Sequence, residues 1–373
     1  MTSLDFSSFG PLFPYPSNVT ISNDKLTECT MKIGLTGYQS SGKSTLFQWL
    51  TGVEPDPSLA HVSQSAMAAV PDDRIEALCQ VYRPRKITLA QLELVDTPGL
   101  SRTHEGNAAR LAQIREAGCL AVVVGAYDGV TDPVAELNRF EEDLLLADFE
   151  IVAGRIERLR ESVKKPRPDR EKQQAELESL EPIAAALESG HAIDMAELND
   201  QQLRSTRSFQ LFTQKPRLVV LNAADDVSDS AQMAAQVPGS VPCVAVRLRL
   251  ELELSQFEPA ERQQFIEEMD IQSADRNGLL RMLLDASGQI LFFTAGDKEV
   301  RSWLLRKDAT AVEAAGDIHT DMARGFIRAE TMRSEDLIRT GSEREMKAQN
   351  LVRQEPKDYV VQEGDVLLFK FNV

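Results

Sequence analysis

The stretch Gly37-Tyr38-Gln39-Ser40-Ser41-Gly42-Lys43-Ser44-Thr45 constrains this chain most, because G-x-x-x-x-G-K-[ST] works only between a strand and a helix. Both flanks are present. MKIGLT reads as a strand, and KSTLFQWLTG sets Leu46, Phe47 and Leu50 at helical spacing. The glycines let backbone N–H groups of residues 37–45 wrap phosphates, Lys43 would reach the β and γ oxygens, and the Ser44 hydroxyl would ligate Mg²⁺.

Further buried strands are expected at LELVD (92–96), LAVVVGAY (120–127), RLVVLN (217–222) and VPCVAV (241–246). Apolar runs alternating with helical segments imply an α/β fold, a parallel sheet covered on both faces with ligands at the strands' carboxyl ends. Asp96 ends one such strand, as a Mg²⁺-sphere carboxylate should, and Gly99 supplies an N–H able to sense a γ-phosphate. Placed about fifty residues after Lys43, Asp-Thr-Pro-Gly is a switch II signal. The next residue, where Ras-type enzymes keep a water-orienting glutamine, is Leu100.

Between the strand runs lies a stretch of different texture, 136–213. Phe140, Leu144, Ala147, Ile151, Ile156 and Leu159 mark one helix, Leu177, Leu180, Ile183 and Leu187 a second, with KKPRPDR as breaker. Two long antiparallel helices are expected, inserted into the nucleotide domain. From 289 onward ILFFTAG, a helix-like IHTDMARG, FIRAETM and DYVVQEGDVLLFKFNV, the last read as two strand runs around Glu-Gly-Asp, suggest a small mixed sheet with a helix. The expected domains are therefore a flexible extension over 1–30, a nucleotide domain over 31–135 and 214–288, the helical insertion 136–213, and a C-terminal domain over 289–373.

A formal net charge of -17 argues against the whole surface binding a polyanion. The last 85 residues are close to neutral, with 13 Lys and Arg against 15 Asp and Glu, so any RNA contact is expected there. Cys29, Cys79, Cys119 and Cys243 are too scattered for metal pairs or a disulfide scaffold, which suits a reducing compartment. No apolar run approaches the roughly 20 residues of a membrane span, and the first 30 residues carry no leader pattern, so a cytoplasmic location is expected.

For the base, GTPases use Asn-Lys-x-Asp after a later strand. Here RLVVLN ends in Asn222-Ala223-Ala224-Asp225, with Asn and Asp in place and the lysine missing. The strand ending at Arg247 would border the same site.

Together these residues resemble the YchF family, the Obg-related P-loop NTPases also called Obg-like ATPases. The likeness runs from Met31 to Val373 through LVDTPGL, GN…LAQIREAG, FFTAGDKEVRSW, GDIHTDMARGFIRAE and DYVVQEGDVLLFKFNV. It implies a P-loop NTPase domain with a coiled-coil insertion, followed by a β-grasp TGS domain. It also implies a Mg²⁺-dependent NTPase taking ATP or GTP, slow because Leu100 cannot hydrogen-bond water, with a ribosomal or other RNA-containing or protein partner. A nucleotide-gated scaffold with little hydrolysis is the alternative.

The sequence departs from the family pattern at three places. Ser40 stands where an asparagine would hold potassium, which argues against potassium assistance. VSQSAM offers Ser63 or Ser65 in place of the switch I threonine for Mg²⁺. Asp225 stands where near relatives of the bacterial type carry glutamate and favour ATP. Tyr127 matches an aromatic position able to stack on a purine, or else closes its strand as a core residue; His104 in the switch II loop reads as an exposed loop residue, the alternative being a group that meets the γ-phosphate or steers water, and His319 reads as a structural helix residue.

Overall fold

The computed structural model describes residues 20–21, 31–166, 168–193, 197–227, 230–239, 241–269 and 271–372. The contacts of the described residues divide the chain into two compact units, one within Lys32–Ser65 and Val95–Leu250, the other within Ala66–Leu94 and Glu251–Asn372 together with Thr20–Ile21.

The first unit holds the parallel strands Lys32–Thr36, Cys119–Ala126, Arg217–Ala223 and Cys243–Val246, neighbours in that order. Ile33 pairs with Cys119, Leu120 with Arg217 and Val219 with Cys243. The first three are buried almost throughout, as strands covered on both faces must be. Thr97 follows the strand Gln91–Asp96 and ties its end to this sheet, N–H and Oγ1 both donating to the Leu35 carbonyl at 3.3 and 2.7 Å. Parallel order brings the strands' carboxyl ends to one edge, where the loop before helix Lys43–Thr51 also lies.

Helix Pro133–Val163 begins where the Asp132 carboxylate accepts from the Val134 and Ala135 N–H groups and Pro133 fills the first helical position. Its two halves bury different partners. Phe140, Leu144 and Ala147 join the sheet core with Leu120, Val122 and Phe212. Val152, Ile156 and Leu159 pack instead on Leu177, Leu180, Ile183 and Leu187 of the returning helix Arg170–Glu188. The apolar stripe thus uses Val152 where Ile151 was expected. Spacing explains it, since 152 and 156 are one helical turn apart and 151 and 156 are not. Fully buried Asp148 fastens the return, accepting from Arg115 at 2.9 Å and from the Phe212 and Thr213 N–H groups at 3.0 and 2.8 Å.

In the second unit a seven-stranded mixed sheet runs Thr20–Ile21, Lys86–Thr88, Glu299–Arg306, Gln289–Ala295, Asp365–Phe371, Phe326–Arg333, Arg353–Glu355. Helix Ala311–Ile318 buries Ala311, Ala314 and Ala315 against Phe292, Trp303, Leu367 and Phe369. Of the residues assigned by sequence to the nucleotide domain, Lys86–Thr88 and 251–288 group with this unit, while Gln64–Ala69 and Gln91–Asp96 are strands of the other sheet. Lys86–Thr88 adds in parallel to Glu299–Arg301, and Asp72 is buried between Arg74 and Arg281, Arg74 also pairing with Glu363. The expectation of a flexible 1–30 lies outside the described residues except at Thr20–Ile21, which pair with Lys86–Ile87.

Two C-terminal expectations are corrected. The run at Tyr359–Gln362 is not a strand, because Asp365 bends it, accepting from Tyr359 Oη at 2.7 Å and the Gln362 N–H at 3.0 Å. His319 is not within a helix. It is extended between Ala311–Ile318 and Thr320–Arg324, and its Nδ1 accepts from the Asp321 N–H at 3.1 Å as an N-cap.

Candidate functional site

The loop leaving strand Lys32–Thr36 is shaped by three close approaches. Gly37 has φ +145°, and a Cβ there would stand 2.3 Å from the Val123 carbonyl oxygen. Gly42 has φ +105°, and a Cβ would lie 2.4 Å from Asn222 Nδ2. Asn222 uses that nitrogen to donate to the Ser41 carbonyl at 3.1 Å, and Tyr127 Oη donates to the Ser40 carbonyl at 2.6 Å. Helix Lys43–Thr51 starts with no side-chain cap, so its first N–H groups face the loop as an anion site.

Lys43 and Asp96 are both nearly buried beneath this loop. Lys43 Nζ donates to the Tyr38 carbonyl at 2.7 Å, and burial pulls its ammonium down to about 8, with Asp96 opposing that fall. Ser44 Oγ donates to Asp96 Oδ2 at 2.6 Å, while Oδ1 is buried without a partner. Burial raises the Asp96 carboxyl above its ordinary value, against the pull of Ser44 and Lys43. The Ser41 hydroxyl is buried and unpartnered as well. Such orphaned atoms cost stability unless something meets them. A hydroxyl and a carboxylate side by side fit a hard divalent cation that takes its other ligands from phosphate and water. Among the described residues no cluster of three or more His, Cys, Asp or Glu offers an all-protein metal site.

Switch II presses on the loop from its other side. The Leu100 N–H donates to the Gly37 carbonyl at 3.0 Å, and the Gln39 N–H donates to the Leu100 carbonyl at 2.9 Å. A Cβ on Gly99 would meet Lys43 Nζ at 2.6 Å and Gln39 N at 2.8 Å, so only glycine fits. The Leu100 side chain is fully buried with Tyr38, Phe140 and Leu137. It is a core residue, and it presents nothing to a water molecule.

A cavity of about 450 Å³ opens over the loop, lined by Ser40, Gly42, Lys43, Ser44, Thr45, Tyr127, Asn222, Ala223, Ala224, Asp225 and Arg249. Gly37, Tyr38, Gln39, Ser41, Asp96 and Gly99 support it without lining it. Asp225 and Tyr127 are exposed at its base end. Arg249, on helix Leu248–Leu254, was missed by sequence; the strand end at Arg247 pointed two residues short of it.

Ser65 is exposed on strand Gln64–Ala69 and does not line the cavity, and Ser63 is taken by Gln113 Oε1, which accepts from its N–H and hydroxyl at 2.8 and 3.0 Å. Neither serine meets Ser44 and Asp96 here. His104 is exposed, with φ +61° and Nδ1 3.6 Å from Asp143.

A parallel sheet, a phosphate loop opening a helix, a buried lysine and aspartate, and a serine bonded to that aspartate define a P-loop nucleoside triphosphatase. Comparison with known proteins agrees. Residues 32–153 match the family model described as a 50S ribosome-binding GTPase, and 289–372 match the YchF-GTPase C-terminal family, described as of unknown function. The ribosome-binding ATPase YchF of Bacillus subtilis (strain 168) is 34% identical over 370 residues, spanning 91% of this chain and 99% of its own. Obg-like ATPase 1 of Oryza sativa subsp. japonica is 34% identical, spanning 92% of each. In fold, the YchF GTPase of Schizosaccharomyces pombe superposes with a TM-score of 0.78 at 24% identity, over 93% of this chain and all of that one. The chain belongs to the YchF family of Obg-like ATPases.

Proposed function

We propose that this protein binds a purine nucleoside triphosphate with Mg²⁺, hydrolyses it slowly, and has its bound state read by a ribosome or another RNA-containing partner in the cytoplasm. The observation that carries the reading is buried Lys43 and Asp96 with Ser44 hydrogen-bonded to Asp96 at the cavity surface, Asp96 Oδ1 and Ser41 Oγ lacking partners beside an uncapped helix start. These are the groups a β,γ-phosphate and its cation would satisfy.

Ser44 and Asp96 would hold Mg²⁺, which when bound neutralises phosphate charge. Lys43 grips the terminal oxygens, the Gly99 N–H meets the γ-phosphate, and Asn222 and Tyr127 hold the loop carbonyls of Ser41 and Ser40 away from the anion. Positioning and charge supply most of the rate in phosphoryl transfer, and Leu100 leaves the water-positioning part unfilled. Slow turnover follows. The same burial of Leu100 favours a second reading, a nucleotide-gated scaffold that barely hydrolyses.

The ribosomal partner rests on what the relatives named above are called. A TGS reading of 289–373 is supported by the strand order Glu299–Arg306, Gln289–Ala295, Asp365–Phe371, Phe326–Arg333 around helix Ala311–Ile318. The test measures phosphate release from ATP and GTP in parallel with Mg²⁺, with Lys43→Ala protein as blank, and ribosome pelleting with and without nucleotide. Turnover above blank is expected with at least one nucleotide. Absence of both nucleotide binding and turnover would sink the reading; binding without turnover selects the scaffold.

A further inference from the structure

Resting on that reading, we propose that Arg102 supplies in cis the cation that stabilises the γ-phosphate in the transition state, and that Glu136 holds it back until the hairpin helix shifts. Leu100 is sealed in the core, so switch II has no polar side chain at the usual place. Two residues on stands Arg102. Its guanidinium carbon lies 5.0 Å from the centre of the Tyr38 ring, and the carbonyl of that same Tyr38 accepts from Lys43 Nζ. Arg102 does not itself line the cavity; apart from Lys43 the cationic side chain that does, Arg249, follows strand Cys243–Val246, three strands across the sheet from Lys32–Thr36, on the base side.

The side chain is held by few contacts. It is 47% exposed, and its Nε donates to Glu136 Oε1 at 3.0 Å, with Nη2 on the same oxygen. Glu136, only 11% exposed, lies in the first turn of helix Pro133–Val163. Seven residues on, Asp143 accepts from Tyr38 Oη at 2.8 Å and faces His104 at 3.6 Å. One helix base therefore gathers the phosphate loop and two side chains of switch II. A guanidinium fork is suited to phosphate oxygens, and it is pre-organised for two of them at once.

In the reaction, water oxygen bonds to the γ-phosphorus while the bond to the β,γ-bridging oxygen breaks. The electron pair leaves with the nucleoside diphosphate, and one water proton passes to solvent. Arg102 keeps its protons throughout and only donates hydrogen bonds to oxygens that gain charge. Weakening its hold on Glu136 is then equivalent to what a partner does by moving the hairpin.

The experiment compares full-length wild type, Arg102→Ala, Arg102→Lys, Glu136→Gln and the Glu136→Gln/Arg102→Ala double variant. Readouts are turnover above the Lys43→Ala blank, affinity for ADP and GDP with Mg²⁺, and the gain in that affinity when aluminium fluoride is added. An arginine supplied in place is worth on the order of 10³-fold or more in rate, so Arg102→Ala should lose that much and also lose the aluminium fluoride gain. Its diphosphate affinity should stay within about twofold, because the interaction exists only in the transition state. Arg102→Lys should recover a minor part, lacking the fork. Glu136→Gln should turn over about fivefold faster, the worth of a part-exposed ion pair, and the gain should vanish in the double variant.

Retention of turnover or of the fluoride complex by Arg102→Ala overturns the assignment, as does a Glu136→Gln gain that persists without Arg102. Should wild type bind no diphosphate better than Lys43→Ala does, the nucleotide reading itself has failed. Where wild type hydrolyses nothing, the fluoride measurement still decides, since a wild-type gain absent from Arg102→Ala supports the proposal and no gain in wild type or Glu136→Gln refutes it.

Discussion

The phosphate end and the base end of the cavity are built on opposite principles. At the phosphate end Lys43, Asp96 and Ser41 are almost removed from water, backbone carbonyls are tied down by Asn222 and Tyr127, and two polar atoms wait unpartnered. At the base end Asp225 is exposed and Tyr127 is 47% exposed, its one hydroxyl bond going back to the loop. Desolvated groups discriminate strongly, because failing to meet them leaves a buried charge unpaired. Exposed groups discriminate weakly, because water replaces the lost partner. The contrast teaches that this chain fixes the triphosphate first and treats the base as a secondary choice.

Lys43 offers the largest break in the comparison. Lys43→Met should lower affinity for ATP and GTP alike by roughly a hundredfold or more, the worth of a charge-assisted bond made in a dry site. Titration with a fluorescent nucleotide would show it, and unequal losses would mean that the two ends are coupled. The wild type carries a pH signature of the same group. Free, its ammonium loses its proton near 8; under a triphosphate the anion holds the proton on. Affinity should be flat below pH 8 and fall by up to about tenfold per unit above it. Calorimetry in buffers of different ionisation enthalpy should record proton uptake at pH 9 and little at pH 7.

Asp96→Asn comes next. Removing one of two protein oxygens for the cation should weaken Mg²⁺-dependent triphosphate binding by about ten- to a hundredfold, while Mg²⁺-free binding changes little. If both fall together, Asp96 serves the loop and not the cation.

The same contrast explains what sequence made legible. Gly37, Gly42 and Gly99 could be read because each occupies a place that no Cβ can enter, and Asp96 because a strand's last residue has a fixed edge to point from. Long-range pairing could not. Lys86 meets Glu299 across more than two hundred residues, and nothing local in KIT announces that partner. That is why Lys86–Thr88 was read with the nucleotide domain, although it pairs in the C-terminal sheet. Glu136 and Arg102 are 34 residues apart and join only when the hairpin helix is seated on the sheet core. Val152 replaced Ile151 for the opposite reason, since the helical period was available and was read one residue out of phase.

Asp225→Asn should have the smallest effect and says most about the base. If the exposed carboxylate reads guanine, the amide turns one acceptor into a donor, and GTP affinity should fall about three- to tenfold while ATP is unchanged or slightly improved. A loss near the lower bound is expected, since water already shares the carboxylate and no lysine follows Asn222 to pack beneath the base. Competition between labelled GTP and cold ATP measures the ratio directly. Equal affinities before and after substitution would remove Asp225 from base recognition and leave Arg249 as the remaining charged side chain lining that end among the described residues. A loss of a hundredfold would reverse the comparison itself. It would mean that Asp225 becomes buried once nucleotide is present, and that the base end is built as strictly as the phosphate end but only around its ligand.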